Sequence, residues 1–395
     1  MPTNRYKTPG VYHEEVFPAP AAEFRTGVPA FLGFTQKVPA DDAGNKRFHS
    51  PHRLTLWPQF EETFGPSLSP GYLAYAVRGF FENGGGLCYV VSLSDTALPE
   101  DALRLGLQAL APLDTIDLIC APDIMRPRQP GPRALDAVAV HTMQAEVLKH
   151  CDTLGNRFAL LDALPLAAVP EVLQQRQGLS GTNGALYYPW ARVPGGPAAT
   201  RGFVPPCGHV AGVYARSDQG GGVHKAPANE VMEGVLDLEV NLTNVEQDQL
   251  NPAGVNCVRA FPGRGIRVWG ARTLSRDAAW RYINVRRLFL TAGRWVERNM
   301  REAVFEPHTP ALWARIVREL TAYYTDLLRR GALKGRTSQE AFYVKCDAET
   351  NPPEVREAGL VITEIGLAPA IPSEFVVVRL IYGASGVTIS GPAAG

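Results

Sequence analysis

The chain lacks any cysteine pair at metal-ligand spacing. Its six cysteines, Cys88, Cys120, Cys151, Cys207, Cys257 and Cys346, are scattered, with no C-x-x-C arrangement. That excludes a zinc ribbon or a thioredoxin-like redox motif and predicts buried thiols in a reducing compartment. No apolar run approaches the ~18 residues that a membrane-spanning helix needs, so no direct membrane insertion is expected. The opening residues are polar and proline-rich, so no secretory signal is expected either. Net charge is also missing, because 39 basic residues meet 39 acidic ones. Neutrality argues against a free nucleic-acid binder and suits a protein that packs against copies of itself. There is no internal repeat at a solenoid period. Asn83-Gly84-Gly85-Gly86 lies between a helical and a strand pattern, the reverse of a phosphate loop, and reads as a helix-ending turn.

Catalytic constellations are equally thin. Cys207-Gly208-His209 is a single Cys/His pair with no second pair to complete a metal site. Cys120, His141 and Cys151 lack both a nucleophile elbow and an orienting acid. No catalytic, cofactor or metal residue is expected, and the chain reads as a non-enzyme.

What is present begins with alternation. At 395 residues, 38 of them glycine and 33 proline, the chain is expected to form two or three domains with many turns. Buried-strand patterns at 27–38, Leu87–Leu93, Ile116–Ala121 and Arg157–Leu161 alternate with helical patterns at Pro70–Phe81, Ala102–Leu110 and Ala134–Cys151. That alternation predicts an α/β layer. Residues 180–225 read as loop. Helices are predicted from Asp277 to Val304, and from Thr309-Pro310, a capping residue followed by a first-turn proline, to Gly331. Strands are predicted at Ala341–Cys346, Leu360–Gly366 and Glu374–Tyr382.

Both ends carry strand residues without a local partner. Residues 1–25 combine four prolines with the β-formers Val11, Tyr12, Val16 and Phe17. A long arm with a short strand around Tyr12–Phe17 is expected, stable only on another sheet's edge. A second arm follows the last predicted strand, with a strand-like patch at Gly386–Ile389. Phe375-Val376-Val377-Val378 is β-branched enough to be either a core strand or an exposed edge.

The neutral total hides a polarised segment. Arg259–Arg336 holds seventeen basic residues, sixteen of them arginine, and six acidic ones, net +11, against −7 in residues 1–258 and −4 in residues 337–395. Such a run either presses against something acidic or is an ordinary solvated helix face. The acidic flanks and the lack of a nucleic-acid motif argue against nucleic acid as the partner.

Several fragments, in order, carry a family likeness. They are Tyr6-Lys7-Thr8-Pro9-Gly10-Val11-Tyr12, Phe80-Phe81-Glu82-Asn83-Gly84-Gly85-Gly86, Arg157-Phe158-Ala159-Leu160-Leu161-Asp162 and Gly208-His209-Val210-Ala211-Gly212-Val213-Tyr214. They continue with Leu250-Asn251-Pro252, Val268-Trp269-Gly270-Ala271-Arg272-Thr273-Leu274, Tyr282-Ile283-Asn284-Val285-Arg286-Arg287 and Pro372-Ser373-Glu374-Phe375-Val376. Through them the chain closely resembles, end to end, the sheath proteins of contractile phage tails and related contractile injection systems, in a compact form.

The resemblance implies an α/β (α+β) subunit. It would have an N-terminal arm (1–25), an outer α/β domain (26–250), an inner tube-facing α/β domain (251–380) and a C-terminal arm (381–395). It implies that arm strands holding Val11, Tyr12, Glu14, Val16 and Phe17, and Gly386, Val387 and Ile389, leave the subunit to extend neighbours' sheets. The receiving edge would hold Phe375, Val376, Val377 and Val378. Implied partners are copies of the chain in a helical homo-oligomer of hexameric rings, an inner tube protein, and baseplate and cap proteins. The particle would be assembled in the cytoplasm as a phage tail, or as a tail-like particle open to release. It would contract without a cofactor and drive the tube through a target envelope. Gly10, Pro18, Pro20, Gly383 and Gly386 are the expected flexing positions. Arg329, Arg330, Lys334 and Arg336 are expected either to touch an acidic tube or only to serve a helix C-terminus. The alternative readings are a cap or baseplate component of the same machine and a soluble α/β enzyme.

Overall fold

A computed structural model of the chain describes residues 24–41, 43–127 and 135–374, with the backbone of 379–383 and 386–390. The arm residues Val11, Tyr12, Glu14, Val16 and Phe17 and the expected edge Phe375–Val378 lie outside the described residues. In chain order the strands are β1 (Pro29–Gly33), β2 (Pro51–Leu54), β3 (Cys88–Ser92), β4 (Leu118–Cys120), β5 (Phe158–Asp162), β6 (Gly184–Tyr188), β7 (Ala191–Arg192), β8 (Phe203–Val204), β9 (Glu230–Val231), β10 (Asp237–Leu238), β11 (Val255–Phe261), β12 (Gly265–Trp269), β13 (Phe342–Lys345), β14 (Glu364–Leu367), β15 (Arg379–Gly383) and β16 (Gly386–Ser390). The helices are α1 (Trp57–Phe64), α2 (Leu73–Glu82), α3 (Pro99–Leu110), α4 (Ala137–Leu154), α5 (Val169–Gly178), α6 (Cys207–Gly221), α7 (Asn244–Leu250), α8 (Ile283–Asn299), α9 (Pro310–Arg329), α10 (Ser338–Ala341) and α11 (Pro353–Glu357).

Nine strands form one sheet in the order β2-β3-β1-β4-β5-β6-β11-β12-β9. The six from β3 to β11 run parallel, and antiparallel strands close both ends. Parallel strands covered on both faces read as unbroken apolar runs, as in the fully buried Phe158-Ala159-Leu160-Leu161. Alternate residues enter different cores. Phe158 and Leu160 pack with α2 and α6, and Ala159 and Leu161 pack with α3, α4 and α5. The N-terminus of α2 has no cap from its own N-cap residue, Tyr72. The buried Asp123 carboxylate supplies one from afar, accepting the amides of Tyr72 at 2.5 Å, Leu73 at 3.2 Å and Phe34 at 2.8 Å.

The segment 180–225, expected as loop, instead contains strand β6 and the 15-residue helix α6. The reason is that α6 is buried nearly all round, so it has no polar face and no 3.6-residue stripe. Its glycines look like loop signals but serve a helix crossing. A Cβ on Gly208 would lie 2.2 Å from the Ala76 carbonyl oxygen of α2, and one on Gly212 would lie 2.5 Å from that of Phe80.

Helix α8 begins at Ile283, six residues after the expected Asp277. Asp277 caps a separate 3₁₀ turn at Ala278–Trp280 by accepting the Ala279 amide at 2.9 Å. The helical spacing through Tyr282, Val285, Phe289, Ala292, Val296 and Met300 matches only part of the buried set, because α8 is enclosed on more than one side. Ile283 and Leu290 join the core under the large sheet, whereas Leu288 and Ala292 join a third core with α9, Leu333 and Phe342. Helix α9 follows expectation. Thr309 accepts the Leu312 amide, the stripe Trp313, Ile316, Leu320, Tyr324 and Leu327 is buried with Val317 beside it half-buried, and the helix stops before Gly331. In the expected strand Leu360–Gly366, pairing starts only at Glu364. The large sheet also crosses the expected boundary at 250/251, since β11 and β12 belong to it.

Candidate assembly surfaces

The first described residues, Phe24 to Val28, enter the body over a buried charge network. Asp117, just before β4, accepts the amides of Gly27 at 3.0 Å and Val28 at 2.6 Å. Gly27 sits at φ +70°, and a Cβ there would lie 2.6 Å from Cα of Ala215. Only glycine suits both the backbone and the space. Arg287 of α8 donates at 2.9 Å to Oδ2 of Asp117, the oxygen that also accepts the Gly27 amide, and makes a two-pronged pair with Asp218 of α6 at 2.8 and 2.6 Å. The Arg287 side chain is 2% exposed, so this pair is out of water. Burial alone would lower the pKa of Arg287, but the carboxylates of Asp218 and Asp117 more than reverse that, and the guanidinium stays charged. Its plane also faces the Tyr214 ring at 4.9 Å. Arg294, two helix turns further on, donates to the Asp114 carbonyl at 3.0 Å and lies over the Phe24 ring. One arginine thus joins α8, α6, the start of β4 and the root of the N-terminal segment.

The second feature is unfinished sheet. Strands β13 and β14 form a two-stranded antiparallel sheet, as do β15 and β16. Two-stranded ribbons are marginal in water unless covered or extended. The strand-like patch holding Gly386, Val387 and Ile389 is strand β16, which pairs with β15 of its own chain. Beside β14 lies a cleft of about 640 Å³ walled by Val296, Met300, Val304, Ile316, Val361 and Ile365. On its rim Phe305 is fully exposed, with a left-handed φ of +70°. Leu360, Val361 and Ile362 are exposed as well. Exposed apolar residues collected in one region mark a surface that is covered in use.

The third feature is the basic run. Arg329, Arg330, Lys334 and Arg336 are all exposed. Arg330 pairs with Asp326 one turn back at 2.8 Å, an open contact of small worth. The side chains of Arg329, Lys334 and Arg336 form no ion pair with any described residue. Their loop is held by backbone, with the Lys334 amide on Ala368 O at 2.7 Å and the Arg336 amide on the Glu340 carboxylate at 2.7 Å. Other arginines of the run are internal. Arg272 grips Glu374 with two bonds of 2.9 and 2.6 Å, and Arg286 reaches Asn183 at 2.6 Å. Both readings of the run missed this inward set, and the network of Arg287, Asp117 and Asp218 with it.

All six cysteines are buried and unpaired. Cys207 and His209 lie inside α6, and no group of three potential metal-ligating side chains occurs among the described residues. No described helix is long and apolar enough to cross a membrane.

Comparison with known proteins fits this architecture. The family model for the phage tail sheath protein central domain matches residues 109–274, and that for the phage tail sheath C-terminal domain matches residues 275–381. The chain is 28% identical over 183 residues to the tail sheath protein of Vibrio phage KVP40, covering 45% of this chain and 26% of the phage protein. It thus spans about a quarter of that relative's length. Among solved structures it is similar to the helical sheath of the anti-feeding prophage in the contracted state, at 30% identity and a TM-score of 0.76, over 96% of this chain and 100% of that one. It is also similar to the sheath of the PVC extracellular contractile injection system in the contracted state, at 27% identity and a TM-score of 0.73, over 97% and 99%. The matches run through both the large sheet and the C-terminal core, and on them this chain belongs to the phage tail sheath protein family.

Proposed function

We propose that the chain is the structural subunit of a contractile sheath. Copies stack as rings, hexameric by family analogy, around an inner tube between a baseplate and a cap, and contraction drives the tube through a target envelope. The observation that carries this is the likeness over nearly the whole chain to a sheath solved in its contracted state. No catalysis or cofactor enters, because the work comes from the packing difference between two assembled lattices. The subunit has an outer part on the nine-stranded sheet and an inner part built from α8, α9 and β13–β14. We place the division near 274/275 and not at 250/251, because β11 and β12 complete the large sheet.

In this reading the arms connect the lattice. The N-terminal strand with Val11, Tyr12, Glu14, Val16 and Phe17 extends a neighbour's inner sheet, and the strand with Gly386, Val387 and Ile389 does so as one half of the β15–β16 hairpin. The narrow ribbon β13–β14 and the edge Phe375–Val378 are the places that need them. Gly10, Pro18, Pro20, Gly383 and Gly386 flex while the bodies rotate as near-rigid units. The four exposed cations Arg329, Arg330, Lys334 and Arg336 make weak contacts with an acidic tube. Assembly takes place in the cytoplasm, into a phage tail or a tail-like particle.

Negative-stain electron microscopy of the protein expressed alone tests this. Hollow helical cylinders are expected, and they should disappear when residues 1–20 are deleted. Discrete small particles from the full chain, or cylinders that survive the deletion, would overturn the self-assembling, arm-linked sheath.

A further inference from the structure

Four of the sequence fragments that carry the family likeness meet at one side chain: those holding Asn251, Arg272 itself, Tyr282 and Glu374. The backbone of Arg272 is locked first. Asn256 of β11, fully buried, accepts the Arg272 amide at 2.7 Å and donates to its carbonyl at 2.8 Å, and Tyr282 forms a β-bridge with the same residue. The guanidinium is then fully used. Nη1 donates to the Asn251 carbonyl at 3.1 Å, while Nε and Nη2 donate to the two carboxylate oxygens of Glu374 at 2.9 and 2.6 Å. The two side chains are 12% and 15% exposed, so the pair is largely shielded from water.

Glu374 ends a short strap. Upstream the chain is sewn to the third core, with the Lys334 amide on Ala368 O at 2.7 Å, the Ala370 amide on Ala332 O at 3.0 Å and the Asn284 side chain on Ala370 O at 3.2 Å. Beyond Ala370 these ties stop. Ile371 and Ser373 are exposed and form no hydrogen bond with any described residue. The next fixed point is Glu374, held on the loop that follows β12 of the large sheet. Hairpin β15–β16 begins at Arg379, five residues further on.

We propose that Arg272 is a positioning residue for assembly. Acting through Glu374, it fixes the point and direction from which the C-terminal hairpin leaves the body, and so the neighbour that the hairpin reaches. A tethered strand finds its acceptor at an effective concentration set by where the tether starts and how far its end spreads. A guanidinium fork on a locked backbone fixes orientation as well as distance, which a single point charge would not. The proposal rests on the sheath reading and adds to it the residue pair on which delivery of the hairpin depends.

The test uses the full chain with Glu374→Ala, Arg272→Ala and the two combined. In Glu374→Ala the arginine keeps the Asn251 carbonyl, so the thermal melt should stay within about 3 °C of wild type while pelletable cylinders fall by about tenfold. Arg272→Ala should lower cylinder yield by a similar factor. The double variant should lose no more than the worse single one, because all three break one pair. Glu374→Ala that assembles as wild type does, or a double variant that loses the product of both factors, refutes the positioning role and leaves the sheath reading standing. A Glu374→Ala melt more than about 3 °C below wild type makes the pair a brace within the fold and also refutes it. If wild type itself makes no cylinders, both readings fall.

Discussion

Arg287→Met is the most informative single change. It deletes one cation and leaves the Asp218 side chain, 2% exposed, without a counter-charge, while Asp117, 6% exposed, keeps only one cation, Arg294 at 3.9 Å. Asp117 keeps the Gly27 and Val28 amides, but Asp218 loses both arms of its pair. Breaking a buried pair by removing one partner costs about 3–5 kcal/mol. A domain is stable by only about 5–15 kcal/mol, so about a fifth or more of the margin should go. The loss should depend on pH. Burial pushes the Asp218 carboxyl up and Arg287 pulls it back down. Without the arginine its folded pKa rises further above the unfolded value. A raised carboxyl pKa favours the folded state at low pH and penalises it at neutral pH, so the deficit should shrink between pH 7 and 5. Urea unfolding followed by tryptophan fluorescence, with both proteins in the same assembly state, measures it. Arg287→Met/Asp218→Asn should recover part of the loss, because one stranded charge is removed. A single-variant loss below about 1 kcal/mol, or a deficit constant with pH, would refute the claim that this network joins the two halves of the subunit.

Other outcomes follow from separate features. Gly208→Val must move the α2–α6 crossing, since its Cβ would lie 2.2 Å from the Ala76 carbonyl oxygen, and should lower stability by about 3 kcal/mol or more; a thermal shift below about 2 °C would contradict that packing. Arg329→Glu with Arg330→Glu should loosen the tube and favour premature contraction, and unchanged sheath length on the tube would count against the assignment. His209 is buried and its pKa is pushed down to about 4, so the unfolded chain takes up its proton first as pH falls. Stability should therefore drop between pH 6.5 and 4 by about 3 kcal/mol from this group, and His209→Phe should flatten that acid slope. An identical slope in the variant would assign the acid loss elsewhere.

The α/β layer was legible because its strands are buried on both faces and therefore stand out as apolar runs. PAFLG and FALLD announce themselves, and so does the capped helix α9 with its single buried stripe. Helix α6 was illegible for the complementary reason. Periodicity requires a polar face, and a helix enclosed by its neighbours has none. The start of α8 was misplaced because Asp277 is a true cap, though of a short 3₁₀ turn, and local chemistry does not reveal how long the capped element will be.

The basic segment shows a different limit. Counting arginines found a real anomaly but treated every one as outward-facing. The structure divides them by partner. Arg287 and Arg294 are nearly buried and Arg272 is part-buried; all three meet carboxylates or carbonyls from distant sequence, whereas Arg329, Lys334 and Arg336 project from the end of α9 into solvent. Partners such as Asp117 lie 170 residues away from Arg287, and no local pattern encodes them. A guanidinium costs most when it is buried without an acceptor and least when it is solvated. The inward arginines are consequently bound to one geometry, and the outward ones remain open to contacts outside the subunit. An assembly that must hold together while it slides needs both kinds, and in this chain they alternate within a single run of sequence.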